Sequence, residues 1–342
     1  MSDLGKRMFF VIGAPRSGTT LLMRMLNVHP EIATRPEPHL ITPLAHLGYY
    51  AHVDKAPYDP FQAHEAAKAF VSELPNGEAD YLDALRAYAD TLYGRMLEPT
   101  GKRYFLDKTP AYALVLPFLV KLYPDAVFVV LTRHPFAIFS SYAKSFFDDD
   151  WDAALRFNPV LERYVPAMAR FLRDRPVKRL VHVPYEELVT NPETHLRRIC
   201  EAADLPYLPE MIDYGEKAVE GKGLGDPIGV KEHSRPTTAS IHKWAKGVAG
   251  NDGRMNLLER SIALVPEEDL AVWGYSRESL WEPIQQVAPE AAAKAQEKQK
   301  KRWDRHHLER RALVVVRRDI HRSLLGRMLK RARFFLDVLL RE

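Results

Sequence analysis

The sequence predicts an α/β fold in which a parallel sheet is flanked by helices and followed by a helical C-terminal extension. Three observations carry this. Short apolar runs at Met8–Ile12, Arg103–Leu106, Val127–Thr132 and Arg179–Val183 alternate with helical patterns, the arrangement expected of parallel strands joined by helical crossovers. The first run opens into a glycine-punctuated turn, Gly13-Ala14-Pro15-Arg16-Ser17-Gly18-Thr19-Thr20. From Pro289 onward Ala, Lys, Gln, Glu and Arg dominate, so the stretch Pro283 to Pro289 divides a domain of residues 1–288 from an extension of residues 289–342.

Helices are expected at Thr19–Asn27, at Asp80–Leu97 with its repeated Ala and Leu, at Pro135–Ser145, at Ala154–Asp174 and at Pro192–Ala203. Pro159 and Pro166 break or kink the fourth, because proline removes a backbone donor and clashes with the preceding turn. Asn191 caps the fifth and Pro192 takes its first helical position. Asp213–Gly250 mixes Gly, Pro, Ser and Thr with scattered charges and reads as a long functional loop, a lid or binding segment.

The formal net charge is +4, and its distribution matters more than its size. Residues 290–342 carry 16 Lys and Arg against 7 Asp and Glu, a net +9, which leaves −5 for residues 1–289. The basic character belongs to the tail, and no nucleic-acid partner is expected. Cys200 is the single cysteine; it excludes an intrachain disulfide, fits a reducing cytosol, and reads as a small core residue of an apolar helix. Met1–Arg7 shows no signal-peptide pattern and no apolar run reaches roughly 18 residues, so a cytoplasmic location is expected. Arg310-Arg311, Ala312–Val316, Leu324-Leu325, Met328-Leu329 and Phe334–Leu336 form amphipathic helices with basic faces. These suit either peripheral attachment to an anionic membrane or packing on the domain or on a second subunit in a homo-oligomer. The second is favoured, since bulky apolar residues at helical spacing are usually buried against protein.

Gly13-x-x-x-x-Gly18 followed by Thr19-Thr20 has the spacing of a nucleotide-triphosphate P-loop, but Thr19 stands where the lysine belongs and Arg16 supplies the positive charge. Backbone N–H groups of such a turn and of the helix start still bind an anion. The ligand is therefore expected to be a nucleotide other than a triphosphate. Arg133 ends the run Val127–Thr132, at the strand end where open α/β sheets bind ligands. Ser141 follows eight residues later, about two helical turns on, and an arginine fork with a hydroxyl suits one phosphate.

These motifs resemble the sulfotransferases that use 3′-phosphoadenosine 5′-phosphosulfate (PAPS). The likeness covers about Met8 to Trp244 and is nearest to the branch of tyrosylprotein and many bacterial enzymes, whose loop also reads Pro-Arg-Ser-Gly-Thr-Thr-Leu. The resemblance implies a P-loop nucleotide-kinase-like sheet. Pro15, Arg16, Ser17, Gly18, Thr19 and Thr20 would bind the 5′-phosphosulfate, and Arg133 with Ser141 the 3′-phosphate. It implies a catalytic glutamate shortly after the first helix, here Glu37 in Arg35-Pro36-Glu37-Pro38-His39, 21 residues beyond Arg16. His39 is the rival base, its ordinary pKa being better matched to neutral pH.

Lys108, in Leu106-Asp107-Lys108-Thr109-Pro110, corresponds to the lysine that contacts the bridging oxygen. The cytosolic small-molecule branch has its histidine base two residues after that lysine, where this chain has Pro110. Tyr185-Glu186-Glu187-Leu188 resembles the family's Tyr-Glu-Asp-Leu segment, read as mainly structural, with proximity of Tyr185 to the adenosine as the other reading; Ser234, Lys243 and Trp244 resemble the late segment that closes over the nucleotide. The expected partner is an acceptor hydroxyl on a small molecule, sugar or lipid. No metal is expected: Asp148-Asp149-Asp150 reads as a solvated run, and His306-His307 falls in the tail. Two alternatives stand beside this reading, a P-loop kinase or NTPase and a catalytically degenerate nucleotide-binding or scaffold protein.

Overall fold

A computed structural model describes residues 3–35, 37, 40–41, 44, 60–216, 234–288 and 328. Five strands, β1 (Met8–Gly13), β2 (Ile32–Thr34), β3 (Tyr104–Asp107), β4 (Val127–Thr132) and β5 (Leu180–Pro184), form one sheet in the order β2-β3-β1-β4-β5. Every pairing is parallel, with Phe10 opposite Asp107 and Phe128, and Thr132 opposite Pro184. Each apolar run of the sequence is a strand, displaced by at most one residue at either end. The short edge strand β2 is an addition; among the described residues it pairs with β3 alone, and Thr34 Oγ1 donates to the carbonyl of Leu106 at 2.9 Å.

β1, β3 and β4 are buried along their whole length, as strands covered on both faces must be. One face is largely aliphatic: Val11, Val129, Leu131 and Val183 pack with Leu22, Leu26, Leu196, Ile199 and Cys200 in one core. The other is aromatic, with Phe10 packed at tilted angles against Tyr123 and Phe128, and Phe128 against Phe171. Cys200 belongs to this packing, and burial pushes its thiol up to about 11. It should carry about a hundredfold less thiolate at pH 8 than an ordinary cysteine, and a thiol-reagent assay should find it reactive only after denaturation.

Two compact units divide the chain. The first comprises Met1–His134, Arg163–Ile241 and Val265–Ser276, and holds the whole sheet. Its first helix, α1 (Thr19–Asn27), has the bounds expected from sequence, and those at Glu78–Leu97 and Pro192–Ala202 differ by a residue or two. The second comprises Pro135–Glu162, His242–Leu264 and Arg277–Glu342.

The helix expected over Ala154–Asp174 is two helices, Trp151–Phe157 and Val160–Asp174, separated at Asn158-Pro159; Pro166 lies inside the latter. The acidic run before them is structured rather than simply solvated. Asp150 caps the helix by accepting from the backbone N–H of Ala153, while Asp149 accepts from Trp151 Nε1 at 2.9 Å and from Arg254. Among the described residues no group of His, Cys, Asp and Glu is arranged to hold a metal, and no helix is long and apolar enough to cross a membrane. The tail, apart from Met328, and His306-His307 lie outside the described residues.

Candidate active site

In a sheet ordered β2-β3-β1-β4-β5 the chain places β2 and then β3 on one side of β1, and β4 and β5 on the other. The switch point lies at the carboxyl ends of β1 and its neighbours, where open α/β sheets bind ligands. The segments that follow β1, β3 and β4 at that edge carry Arg16, Lys108 and Arg133.

The loop after β1 is closed by Ser17 N–H donating to the carbonyl of Ala14 at 3.1 Å, and α1 begins with Leu22 N–H on the carbonyl of Gly18 at 3.2 Å. Arg16 and Gly18 both lie in the left-handed region, at φ 71° and 107°. A Cβ on Gly13 would stand 2.5 Å from Ser17 Oγ, and one on Gly18 would stand 2.4 Å from the Tyr185 ring. No side chain caps α1 and no acidic residue sits in its first turn, so its N-terminal donors and positive dipole end suit an anion. Ser17 Oγ is fully buried with no hydrogen-bond partner among the described residues. Buried hydroxyls are normally satisfied, and a phosphate oxygen would satisfy this one. Pro15, Arg16, Gly18 and Thr20 are partly exposed, and Thr19 is buried.

Gly18→Ala is expected to force the new methyl into Tyr185 in a backbone conformation that by itself costs about 1–2 kcal/mol. A lower melting temperature and at least a tenfold loss of affinity for 3′,5′-bisphosphoadenosine, measured by thermal unfolding and titration calorimetry, would be the outcome.

Among the described residues Arg133 has no carboxylate in contact, and no partner at Nε. Nη1 donates to the carbonyl of Arg16 at 3.0 Å and Nη2 to that of Ser240 at 3.2 Å, and the guanidinium lies 4.3 Å from the centre of the Tyr185 ring. Burial draws its pKa below the usual arginine value, with Tyr185 and Glu186 acting the other way, yet a guanidinium stays charged at neutral pH. Glu186 accepts from the backbone N–H of His134 at 3.1 Å and so fixes the turn after β4. Tyr185 is hydrogen-bonded through its hydroxyl to Ser240 Oγ at 2.6 Å. Tyr185 therefore touches both the phosphate loop and Arg133. Its contacts with Ser240 and the role of Glu186 were not legible in sequence, because they join residues far apart along the chain.

Lys108 follows β3 and is 1% exposed. Its ammonium is paired with Glu37 Oε1. Glu37 lies in the left-handed region, at φ 22°, and its side chain is 18% exposed. The structure thus brings Glu37 and Lys108 together. His39 lies outside the described residues. Ser234 is exposed, and its carbonyl accepts from Gly215 N–H at 3.0 Å. Ser141, Lys243 and Trp244 belong to the second unit: Ser141 is half-buried on the helix Pro135–Phe147, Lys243 is exposed, and Trp244 packs edge-on against Phe136.

The pattern of the Sulfotransferase family matches residues 9–210, a span that begins in β1 and includes the phosphate loop, Glu37, Lys108, Arg133 and Tyr185. The nodulation protein NoeE of Sinorhizobium fredii is 41% identical over 132 residues, 39% of this chain and 30% of that protein. A protein-tyrosine sulfotransferase of Drosophila melanogaster is 23% identical over 254 residues, 71% of this chain and 48% of that protein. The chain thus spans less than half the length of either relative. Among solved structures, the sulfotransferase domain of the Synechococcus PCC 7002 olefin synthase aligns with a TM-score of 0.47 at 23% identity, over 74% of this chain and 93% of that one. With well over half its length matched by the family pattern, the chain belongs to the Sulfotransferase family.

Proposed function

We propose that this protein moves a sulfuryl group from PAPS to an acceptor hydroxyl, with Glu37 as the general base. The observation that carries the reading is the Lys108–Glu37 pair, a buried ammonium against a partly exposed glutamate, at the same sheet edge as a glycine-punctuated loop without the P-loop lysine. In this reading the loop Pro15–Thr20 and the start of α1 bind the 5′-phosphosulfate, Arg133 binds the 3′-phosphate, and Tyr185 supports both. Glu37 takes the proton of the acceptor hydroxyl, whose oxygen forms a bond to sulfur as the bond from sulfur to the 5′-phosphate oxygen breaks. Lys108 and Arg16 offset the charge gathering on that phosphate. The products are a sulfate ester, 3′,5′-bisphosphoadenosine and the proton left on Glu37. PAPS supplies the activated sulfuryl group; the acceptor is a hydroxyl of a small molecule, a sugar or a lipid.

The kinase alternative needs a strand-end carboxylate for Mg²⁺. Asp107 ends β3, but Tyr93 and Tyr112 donate to its Oδ2 and Thr109 to its Oδ1, so it is engaged by hydroxyls and fully buried. Transfer of labelled sulfate from PAPS across a panel of hydroxyl acceptors, with binding of 3′,5′-bisphosphoadenosine and of Mg·ATP measured in parallel, tests the proposal. Binding of the bisphosphate with transfer to at least one acceptor supports it; tight Mg·ATP binding without bisphosphate binding would refute it.

A further inference from the structure

The catalytic pair is built from two chain segments far apart in sequence, and both are tied to one buried group. Lys108 directly follows Asp107, so the backbone at the end of β3 sets where its ammonium stem begins. Glu37 lies four residues before Ile41, whose backbone N–H donates to the hydroxyl of Tyr112 at 3.0 Å. That same hydroxyl donates to Asp107 Oδ2 at 2.9 Å. Tyr112 itself sits in the short turn of helix Pro110–Leu114, which begins two residues after Lys108, and its N–H is held by the carbonyl of Thr109 at 3.0 Å. Both ends of the bridge are dry: Asp107, Tyr112 and Ile41 are each 0% exposed.

We infer that Asp107 and Tyr112 are positioning residues for sulfuryl transfer, a carboxylate–phenol bridge that sets the spacing between Glu37 and Lys108. The inference rests on the sulfuryl-transfer reading given above. A phenol is suited to the task because it donates one proton while accepting another, so it joins an anion to a backbone N–H with every polar group satisfied. Burial, with the charge of Asp107 nearby, lifts the Tyr112 hydroxyl well above its ordinary range and keeps it a donor. Tyr93, from the helix Glu78–Leu97, donates to the same carboxylate oxygen at 2.6 Å. Among the described residues its hydroxyl makes no hydrogen bond to the segment that carries Glu37. The two tyrosines thus do equivalent chemistry for Asp107, and of the two it is Tyr112 that is hydrogen-bonded to Ile41 in the base-bearing segment.

That difference supplies the test. Tyr112→Phe keeps the ring, the packing and the Tyr93 bond, but releases Ile41 from the bridge. Its kcat for sulfuryl transfer is expected to fall about 10- to 100-fold, the scale of a misplacement near 1 Å, while affinity for 3′,5′-bisphosphoadenosine stays within about twofold. Tyr93→Phe removes a comparable buried hydrogen bond and is expected to lose less than about threefold in kcat. Backbone hydrogen exchange at Ile41 should accelerate in Tyr112→Phe and not in Tyr93→Phe. Equal loss of kcat in the two variants, following their melting temperatures, or full activity in Tyr112→Phe, would overturn the positioning role while leaving sulfuryl transfer intact. A wild-type protein that binds the bisphosphate but sulfates no acceptor would count against the parent reading instead. Exchange at Ile41 then decides alone: rates equal in wild type and Tyr112→Phe overturn the bridge, and faster exchange in the variant sustains it.

Discussion

Glu37→Gln is expected to lower kcat for sulfuryl transfer by about 10²- to 10⁴-fold, the range for removing a general base, with little change in affinity for 3′,5′-bisphosphoadenosine. The amide keeps the shape of the carboxylate and loses its capacity to take a proton. It also leaves Lys108, 1% exposed, without its countercharge, and removing one partner of a buried ion pair destabilises by about 3–5 kcal/mol. A loss of activity could then reflect a weakened fold. The double variant Glu37→Gln/Lys108→Met separates the two effects, because the methionine removes the stranded charge while retaining the length of the side chain. Thermal unfolding should show the double variant recovering stability relative to Glu37→Gln, and labelled transfer should show no recovery of kcat. His39→Ala is the companion measurement. A small effect there together with the large loss at Glu37 assigns the base to the glutamate; the reverse pattern assigns it to the histidine.

Much of the framework was legible because a parallel sheet covered on both faces demands continuously apolar strands, and runs such as Phe9-Phe10-Val11-Ile12 and Phe128-Val129-Val130-Leu131 meet that demand without help from distant residues. β2 was not legible for the opposite reason. Ile32-Ala33-Thr34 is three residues long and pairs only with β3, so its strand character is conferred by its neighbour. The helices Asp252–Ala263 and Glu267–Val272 were not legible either, although Asn251 caps the first by accepting from Arg254 N–H; Asn191, expected to cap Pro192–Ala202, holds the N-cap position without a side-chain cap bond.

In the candidate site, the turn Gly13–Thr20 carries its own glycine spacing and was readable locally as a turn, whereas the Lys108–Glu37 pair joins positions 71 residues apart. Asp107 illustrates the limit of a motif. Its residue type was visible beside Lys108, but its engagement by Tyr93 and Tyr112 follows from three elements meeting under the sheet edge. Composition and periodicity carry no record of such a meeting.

Arg133→Met is expected to erase most of the discrimination between 3′,5′-bisphosphoadenosine and adenosine 5′-monophosphate, two ligands that differ by the 3′-phosphate assigned to Arg133. The arginine is half-buried, with two of its nitrogens on carbonyls and the third without a partner among the described residues. Its charge is thus partly solvated by dipoles and not neutralised by a contacting carboxylate, so an arriving phosphate gains a strong charge-assisted contact. Loss of that contact should raise the Kd for the bisphosphate about 100-fold, equivalent to about 2.8 kcal/mol, while the Kd for the monophosphate changes by no more than a few fold. Arg133→Lys should behave much like the methionine variant, because an ammonium cannot reproduce a fork held at Arg16 and Ser240 at once. Titration calorimetry with both nucleotides at one ionic strength makes the comparison. If the two nucleotides weaken in parallel, Arg133 supports the loop through the carbonyl of Arg16 and the 3′-phosphate is bound elsewhere; if the monophosphate is spared, the guanidinium is the group that recognises the 3′ position.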